Sequence, residues 1–428
     1  MLHLQKSFDE QIKKAPKLLL SQLVEQKLKA QGASYTPEII EALAGHLLKG
    51  RSGKIRLDIP ELKNEDEISL QFTEEDFKWL EKKTNKMLDA MPETVMAIVK
   101  DSSSTLLRSL KRRLPEELDW QDVEMTDFKV RLYNRWGKAI DLLRMMETIA
   151  RDFGSENLKS ASKAKESPVM WKIITLLHIR ACQVTNEIIC LLVNGYADGA
   201  MARWRTLHEL SITLAFIAQH GENLAQRYRD HEIVESYSAM KQYKAYSNIL
   251  GGAPVTKDDE EELLSAYTAI IERYGKSFGR RYGWAAEIIG NPDPTFQQIE
   301  AAIDFDIVRP YYKFASYNVH ATPKGISIRL GAVDGNTLAI AGASNAGIEE
   351  AGIRTALSFL HANVMLVSKE ANLDKLVIGH ILSQVSQEAQ AAFSKAAQRL
   401  DRDEQKIRRH EARLKKKRIT KRRRKTSP

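Results

Sequence analysis

Apolar residues recur at helical spacing through most of the chain. Between 169 and 193, Ile173, Leu177, Val184, Ile188 and Leu192 fall on one stripe, the period of a helix with a buried face. A break at Gly195 leads into a second helix over about 197–219, and a third, Tyr-rich one covers 224–248. Gly251-Gly252 ends that helix and Thr256 caps the next. The pattern returns at 309–320 and 344–371, then runs from Leu373 to the basic end as one very long helix or two collinear ones. Upstream, residues 1–50 read as two helices, the second beginning at Thr36-Pro37-Glu38, followed by helical pattern over 74–112 and 126–152. Period-two alternation is confined to short runs. Ile55–Ile59 with Ile68–Phe72 suits a short hairpin, and Ile326–Leu330 with Thr337–Ile340 suits another around Asp334-Gly335-Asn336.

The expected fold is therefore mainly α: a helical bundle with a small β-hairpin insertion near 326–340, an N-terminal helical region and a long basic C-terminal helix. The Ser/Lys-rich segment Gly154–Pro168 is the best linker, dividing 1–153 from a core bundle at 169–372 and a terminal helix at 373–428. Scarce Gly (22) and Pro (12) in 428 residues agree with long helices rather than a turn-rich sheet. Uninterrupted aliphatic runs such as Ile188–Val193 fall far below the roughly 20 residues of a membrane helix, so no membrane span is expected. With no secretory signal at the N-terminus, the expected location is the cytoplasm. Cys182 and Cys190, about 12 Å apart along one predicted helix, are too distant for a disulfide.

Charge changes the picture most. From Asp401 to Pro428 there are fourteen Lys/Arg and four acids, a net +10, which leaves −1 for the other 400 residues of a chain whose total is +9. The densest cations are Arg413, Lys415, Lys416, Lys417, Arg418, Lys421, Arg422, Arg423, Arg424 and Lys425. Such a segment suits the phosphates of RNA or DNA, each neutralised phosphate releasing a counterion. An anionic membrane surface or a merely solvated terminus has the same composition. Without Trp, Phe or Tyr the tail has neither stacking groups nor an apolar anchor, so it would grip backbone without reading sequence.

Candidate chemistry is sparse. There is no CxxC, no HExxH, and none of the ten histidines follows a Glu by three residues, so no metal and no cofactor is expected. On a wheel of the 197–219 helix with Trp204 at about 0°, Leu207, Leu210, Leu214 and Ile217 cluster near 220–300°, and Met201, Ile212 and Phe216 near 60–120°. Arg205 and Glu209 lie in the second group, which predicts a dry environment for both. They read either as a self-neutralising pair one turn apart or as the lining of a ligand cleft. His320, at the end of the 309–320 helix, reads as a cap or as a general acid/base. Ser316 shares its face, but no nucleophile elbow accompanies the pair.

The segments NGYADGAMARWRTLHELSITLAFI, AQRYRDHE and YKFASYNVHAT together resemble a family of uncharacterised bacterial helical proteins classed as a domain of unknown function. The resemblance covers about 170–370. It places Arg205 and Glu209 in its Arg-x-x-x-Glu helix, Arg227 in its Arg/Tyr-rich helix, and Ser316 with His320 at its Ser-x-x-x-His helix end. It implies a helical fold and no assigned activity. A looser analogy is to HEPN-type helical ribonucleases of bacterial defence and toxin systems, whose Arg-x4–6-His signature is met by Arg203/His208 and Arg354/His361. Two matches are what chance gives at this composition. That analogy implies metal-independent RNA cleavage, an Arg such as Arg205 steadying the phosphorane and a His such as His320 shuttling the proton, with Glu209 the third catalytic candidate. The open alternatives are a non-enzymatic scaffold and a small-ligand sensor, either docking its tail on nucleic acid or an acidic partner, with self-association also open.

Overall fold

The computed structural model describes residues 4–31, 35–50, 69–161, 167–327, 330–331, 341–369 and 372–425. It is mainly helical, with no strand among the described residues. The chain divides into two compact units, Met1–Trp120 and Gln121–Pro428, with the division inside one long helix.

In the first unit α1 (Leu4–Ala30) packs against α2 (Pro37–Leu48) around a small core of Val24, Leu28, Ile39 and Leu43. Pro37 begins α2 as its sequence requires. Leu70 and Phe72 close this core from a segment with no regular structure. The alternation at 68–72 thus marks two side chains turned onto a helical core, and the described part of the expected N-terminal hairpin is not a strand. Ile55–Ile59 and Ile68 lie outside the described residues. At the start of α3 (Glu74–Ala161), Asp76 accepts the Thr73 backbone N–H (2.7 Å) and hydroxyl (3.0 Å) and pairs with Lys27 (2.5 Å). Those bonds hold the Asp76 carboxyl below its ordinary range, the Lys27 bond first.

The second unit is built around α5 (Ala197–His220), packed by α4 (Pro168–Val193) and α13 (Ile348–Lys369), with α14 (Leu373–Lys425) against α13. Both apolar faces of α5 are covered: Met201, Leu207, Ile212, Leu214, Phe216 and Ile217 are fully buried. Each such side chain contributes about 1.5–3 kcal/mol by leaving water. Trp204, also fully buried, donates its indole N–H to the Arg354 carbonyl (2.9 Å) and the Ser358 hydroxyl (3.0 Å), fixing α5 to α13. The last third of α3 joins this core through Leu132, Trp136, Ile140, Leu143 and Met146. Gly352 of α13 faces the Phe393 ring of α14, where a Cβ would sit 2.4 Å from ring carbon, so the close approach of these helices depends on it. α4 is long and apolar enough to cross a membrane, but half of that stretch is buried within this core.

The linker expected at 154–168 begins in helix, since α3 continues to Ala161. Phe153 and Ala150 anchor it in the core, and Gly154 lies against the His178 ring, leaving no room for a Cβ. The packing decides here, where composition suggested a loop. Residues 162–166 lie outside the described residues.

Around this frame come α6 (Glu222–Asp230), α7 (Glu232–Leu250), α8 (Lys257–Tyr274), α9 (Ala286–Ile289), α10 (Phe296–Ala301), α11 (Arg309–Tyr317) and α12 (Pro323–Ser327). The expected hairpin near 326–340 is corrected at its start. Ile326 and Ser327 belong to α12, because Thr322-Pro323 acts as a helix beginning: the Thr322 hydroxyl accepts the Gly325 N–H at 3.1 Å. Residues 328–329 and 332–340 lie outside the described residues. The described Leu330 and Gly331 give their N–H groups to Asp198 in the first turn of α5 (2.8 and 3.2 Å).

Candidate functional site

α5 carries Arg205, His208 and Glu209, and α10 and α11 bring Glu300, Arg309 and Tyr312 against them. Arg205 Nε lies 3.2 Å from Glu209 Oε1, the pair one turn apart that the sequence allows. The Tyr312 hydroxyl donates to that same Glu209 oxygen. The guanidinium groups of Arg205 and Arg309 both lie over the Tyr312 ring, 4.7 and 4.9 Å from its centre. Burial, then the Glu209 hydrogen bond, raise the Tyr312 phenol well above its ordinary value, so it stays a donor at neutral pH.

Arg205 and Glu209 are not dry. Their side chains retain 20% and 35% exposure, so they form the rim of the cluster. The dry part is the residue between them. His208 and Glu300 are both fully buried, with His208 Nε2 2.8 Å from Glu300 Oε1 and Arg309 2.5 Å from Glu300 Oε2. Facing a carboxylate, Nε2 carries the proton. The Ser358 hydroxyl lies 3.4 Å from Nδ1 and itself accepts from Trp204 (3.0 Å). One hydrogen-bonded path therefore runs Trp204–Ser358–His208–Glu300–Arg309 through α5, α13, α10 and α11. Trp204 and Phe305 flank the His208 ring at 5.3 and 6.0 Å. His361 stacks on the other reach of Phe305 at 4.0 Å, and burial, then His208, bring its pKa down to about 4.

His320 does not join this group. It is exposed beyond the end of α11, and its side chain makes no hydrogen bond or ion pair among the described residues. Ser316 gives its hydroxyl to the Tyr312 carbonyl at 2.9 Å, so it is not presented to His320 as a nucleophile. Arg227 belongs to another cluster. It is buried, pairs with Glu287 (2.9 Å), donates to the Trp284 carbonyl (3.2 Å) and lies over the rings of Tyr274 and Phe278. An open cleft of about 300 Å³ adjoins it, lined by Arg227, Tyr274, Ser277, Glu287 and Asn291. Arg203 bonds Glu187, and Arg354 pairs with Glu350 (2.9 Å) and lies over Tyr311 (3.4 Å), so neither meets the histidine of its Arg-x4–6-His match.

Of the basic tail, Arg413 is exposed on α14, which continues as helix to Lys425. The side chains of Lys415, Lys416, Lys417, Arg418, Lys421, Arg422, Arg423, Arg424 and Lys425 lie outside the described residues. No group of His, Cys, Asp and Glu among the described residues has a metal-binding arrangement.

The cluster is charge-matched: two arginines, two carboxylates and a histidine enclosed behind them. It holds four helical segments in register, and only its rim faces solvent. His208 and Glu300 escaped sequence reasoning because they are 92 positions apart. At 100° per residue from Trp204, His208 falls at about 40°, beside the second apolar face of α5, and a His on a buried face needs a partner.

Residues 172–337 match the model of a family described as Family of unknown function (DUF5677). The match contains Arg205, Glu209, Arg227, Glu300, Arg309, Ser316 and His320. No curated protein and no solved structure matches the chain.

Proposed function

We propose that the protein binds nucleic acid through the phosphate backbone, using the basic end of α14 as its electrostatic arm. The observation that carries this reading is the change of character along α14. Leu382, Val385, Ala389, Phe393 and Ala396 are buried in the bundle, whereas Arg402, Lys406, Arg408, Arg409 and Arg413 beyond Leu400 are exposed. One helix is thus a core element in its first half and a polycation in its second. Exposed cations without aromatic residues suit phosphates of any sequence.

Of the alternatives, a non-enzymatic helical scaffold agrees best with the side-chain geometry. Arg205 and Glu209 neutralise each other, Ser316 is turned to its own helix, and His320 is away from both. A metal-independent ribonuclease using Arg205, Glu209 and His320, of the bacterial defence kind, is the second reading, supported by the same tail and by solvent access to the Arg205/Glu209 rim.

One experiment separates them. The full chain is titrated into fluorescein-labelled RNA and DNA oligonucleotides, with cleavage followed in parallel in EDTA. Salt-sensitive binding of intact oligonucleotide supports the scaffold. Cleavage in EDTA that His320→Ala abolishes, in a variant with an unchanged circular dichroism spectrum, replaces it with the enzyme. Absence of salt-dependent binding removes both.

A further inference from the structure

A cleft of about 410 Å³ opens within the second unit between α3 and α14. Arg131, Asn134 and Arg135 line one side, and Arg399, Arg402, Asp403 and Lys406 the other. Five of these seven side chains are cationic and one is acidic. The spacings are i,i+4 on α3 and i,i+3,i+7 on α14, so each helix turns one face to the cleft.

The single carboxylate is already shared. Asp403 receives Arg135 at 3.0 Å and Lys406 at 3.4 Å, and these bonds hold its carboxyl below the ordinary range, the Arg135 bond first. Arg402 gives its Nε–H to the Gln398 carbonyl at 3.1 Å. Arg131 and Arg399 have no hydrogen bond or ion pair among the described residues. Arg135, whose side chain is 19% exposed, has a buried Nε without any hydrogen-bond partner. That N–H is closed to solvent, so a ligand in the cleft would meet the cations of Arg131, Arg399, Arg402 and Lys406 rather than it.

No lining residue is apolar or aromatic, so the cleft offers neither a membrane-inserting face nor a stacking platform. Forked arginines around a small opening match the oxygens of a phosphodiester. Position adds a second argument. Lys406 lies about 10 Å along the helix from Arg399, and Lys425 about 40 Å, so cleft and tail cations follow one another on a single rod.

We propose that this cleft seats phosphodiester groups of a nucleic-acid strand whose neighbouring phosphates run along the basic end of α14. The proposal rests on the nucleic-acid reading above and extends it from the tail into the folded bundle. The cleft fixes where the strand meets the body of the protein, and the tail supplies the remaining contacts.

The test is fluorescence anisotropy of a labelled single-stranded oligonucleotide against NaCl, using full-length chains. Each lost phosphate contact lowers the slope of log K against log salt by about 0.7. The double variant Arg399→Ala/Arg402→Ala is expected to lose about 1.4 from the slope, two contacts at that increment. Arg399→Lys/Arg402→Lys keeps the charge and is expected to restore most of the slope. Asp403→Asn, which removes the competing carboxylate, is expected to bind more tightly. A tail-neutral chain, with the cations from Lys415 to Lys425 replaced by glutamine, is expected to keep a residual salt-dependent affinity that the double alanine change removes. If the double variant matches the parent slope while the tail-neutral chain loses all binding, the cleft is overturned and the tail reading stands. If the parent chain shows no salt-dependent binding, both fall. Binding to phosphatidylserine vesicles that depends on Arg399 and Arg402, without binding to the oligonucleotide, also overturns the proposal.

Discussion

Replacing Glu300 by alanine tests whether the buried path through α5, α10 and α11 holds the bundle together. The carboxylate is fully buried and accepts from His208 at 2.8 Å and from Arg309 at 2.5 Å. Removing one partner of a buried ion pair costs about 3–5 kcal/mol, because the other is left uncompensated. Here the two partners differ. Arg309, 32% exposed, can turn to water, which lowers its share. His208 has no exposed surface and no second acceptor for its Nε2 proton, so that orphaned donor is paid for in full. The expected loss for Glu300→Ala is therefore about 3 kcal/mol, at the lower end of that range. Glu300→Gln keeps the volume and one acceptor and should lose less. Urea unfolding followed by tryptophan fluorescence measures both, since Trp204 stacks on His208 at 5.3 Å. Combining Glu300→Ala with Arg309→Ala in a double-mutant cycle isolates the pair, with an expected coupling above about 1 kcal/mol. A loss below about 1 kcal/mol for Glu300→Ala would refute the claim that this network secures the helices.

Other consequences are equally specific. His361, with its folded pKa near 4 against about 6.5 unfolded, binds its proton more readily when unfolded. Its contribution is complete above about pH 6.5 and is lost as pH falls toward 4. Between pH 7 and 5 the loss should be roughly 2 kcal/mol, 1.5 pH units at 1.36 each, and His361→Phe should remove that part of the pH dependence of urea unfolding. Cys182 is buried and its thiol is pushed up to about 12 by burial, first, and by Glu147, whereas Cys190 is exposed. Maleimide at pH 7 followed by mass spectrometry should therefore label one thiol in the native protein and two after unfolding. Gly352→Ala should destabilise by about 1–3 kcal/mol in the same urea assay, because its Cβ would meet the Phe393 ring; an unchanged midpoint would show that α13 and α14 can separate freely.

The helical periods of 169–193 and 197–219 corresponded to α4 and α5 because one-face and two-face apolar patterns state burial directly. Thr322-Pro323 was ambiguous, since a Thr-Pro pair begins a helix or a turn with the same local chemistry. The 154–161 stretch is helical because packing at Phe153 and His178 outweighs the Ser/Lys-rich composition of the 154–168 segment. Of the candidate site, the Arg205–Glu209 pair was legible because its partners are one turn apart. The Glu300 and Tyr312 contacts were not, since no local rule links α5 to α10 or α11. The α3–α14 cleft was hidden for the same reason, its two cationic faces being harmless surface until the fold apposes them.

The far end of α14 is, in polymer terms, a polyelectrolyte. Arg409 and Arg413, Arg413 and Lys417, Lys417 and Lys421, and Lys421 and Lys425 are each four positions apart, and every such like-charge pair opposes the helix by a few tenths of a kcal/mol. The buried first half supplies a nucleus, so the distal turns need only propagate. Their helicity is then set by whatever screens the repulsion. On the nucleic-acid reading, a bound polyanion would serve at once as cargo and counterion, and its release would loosen the distal turns.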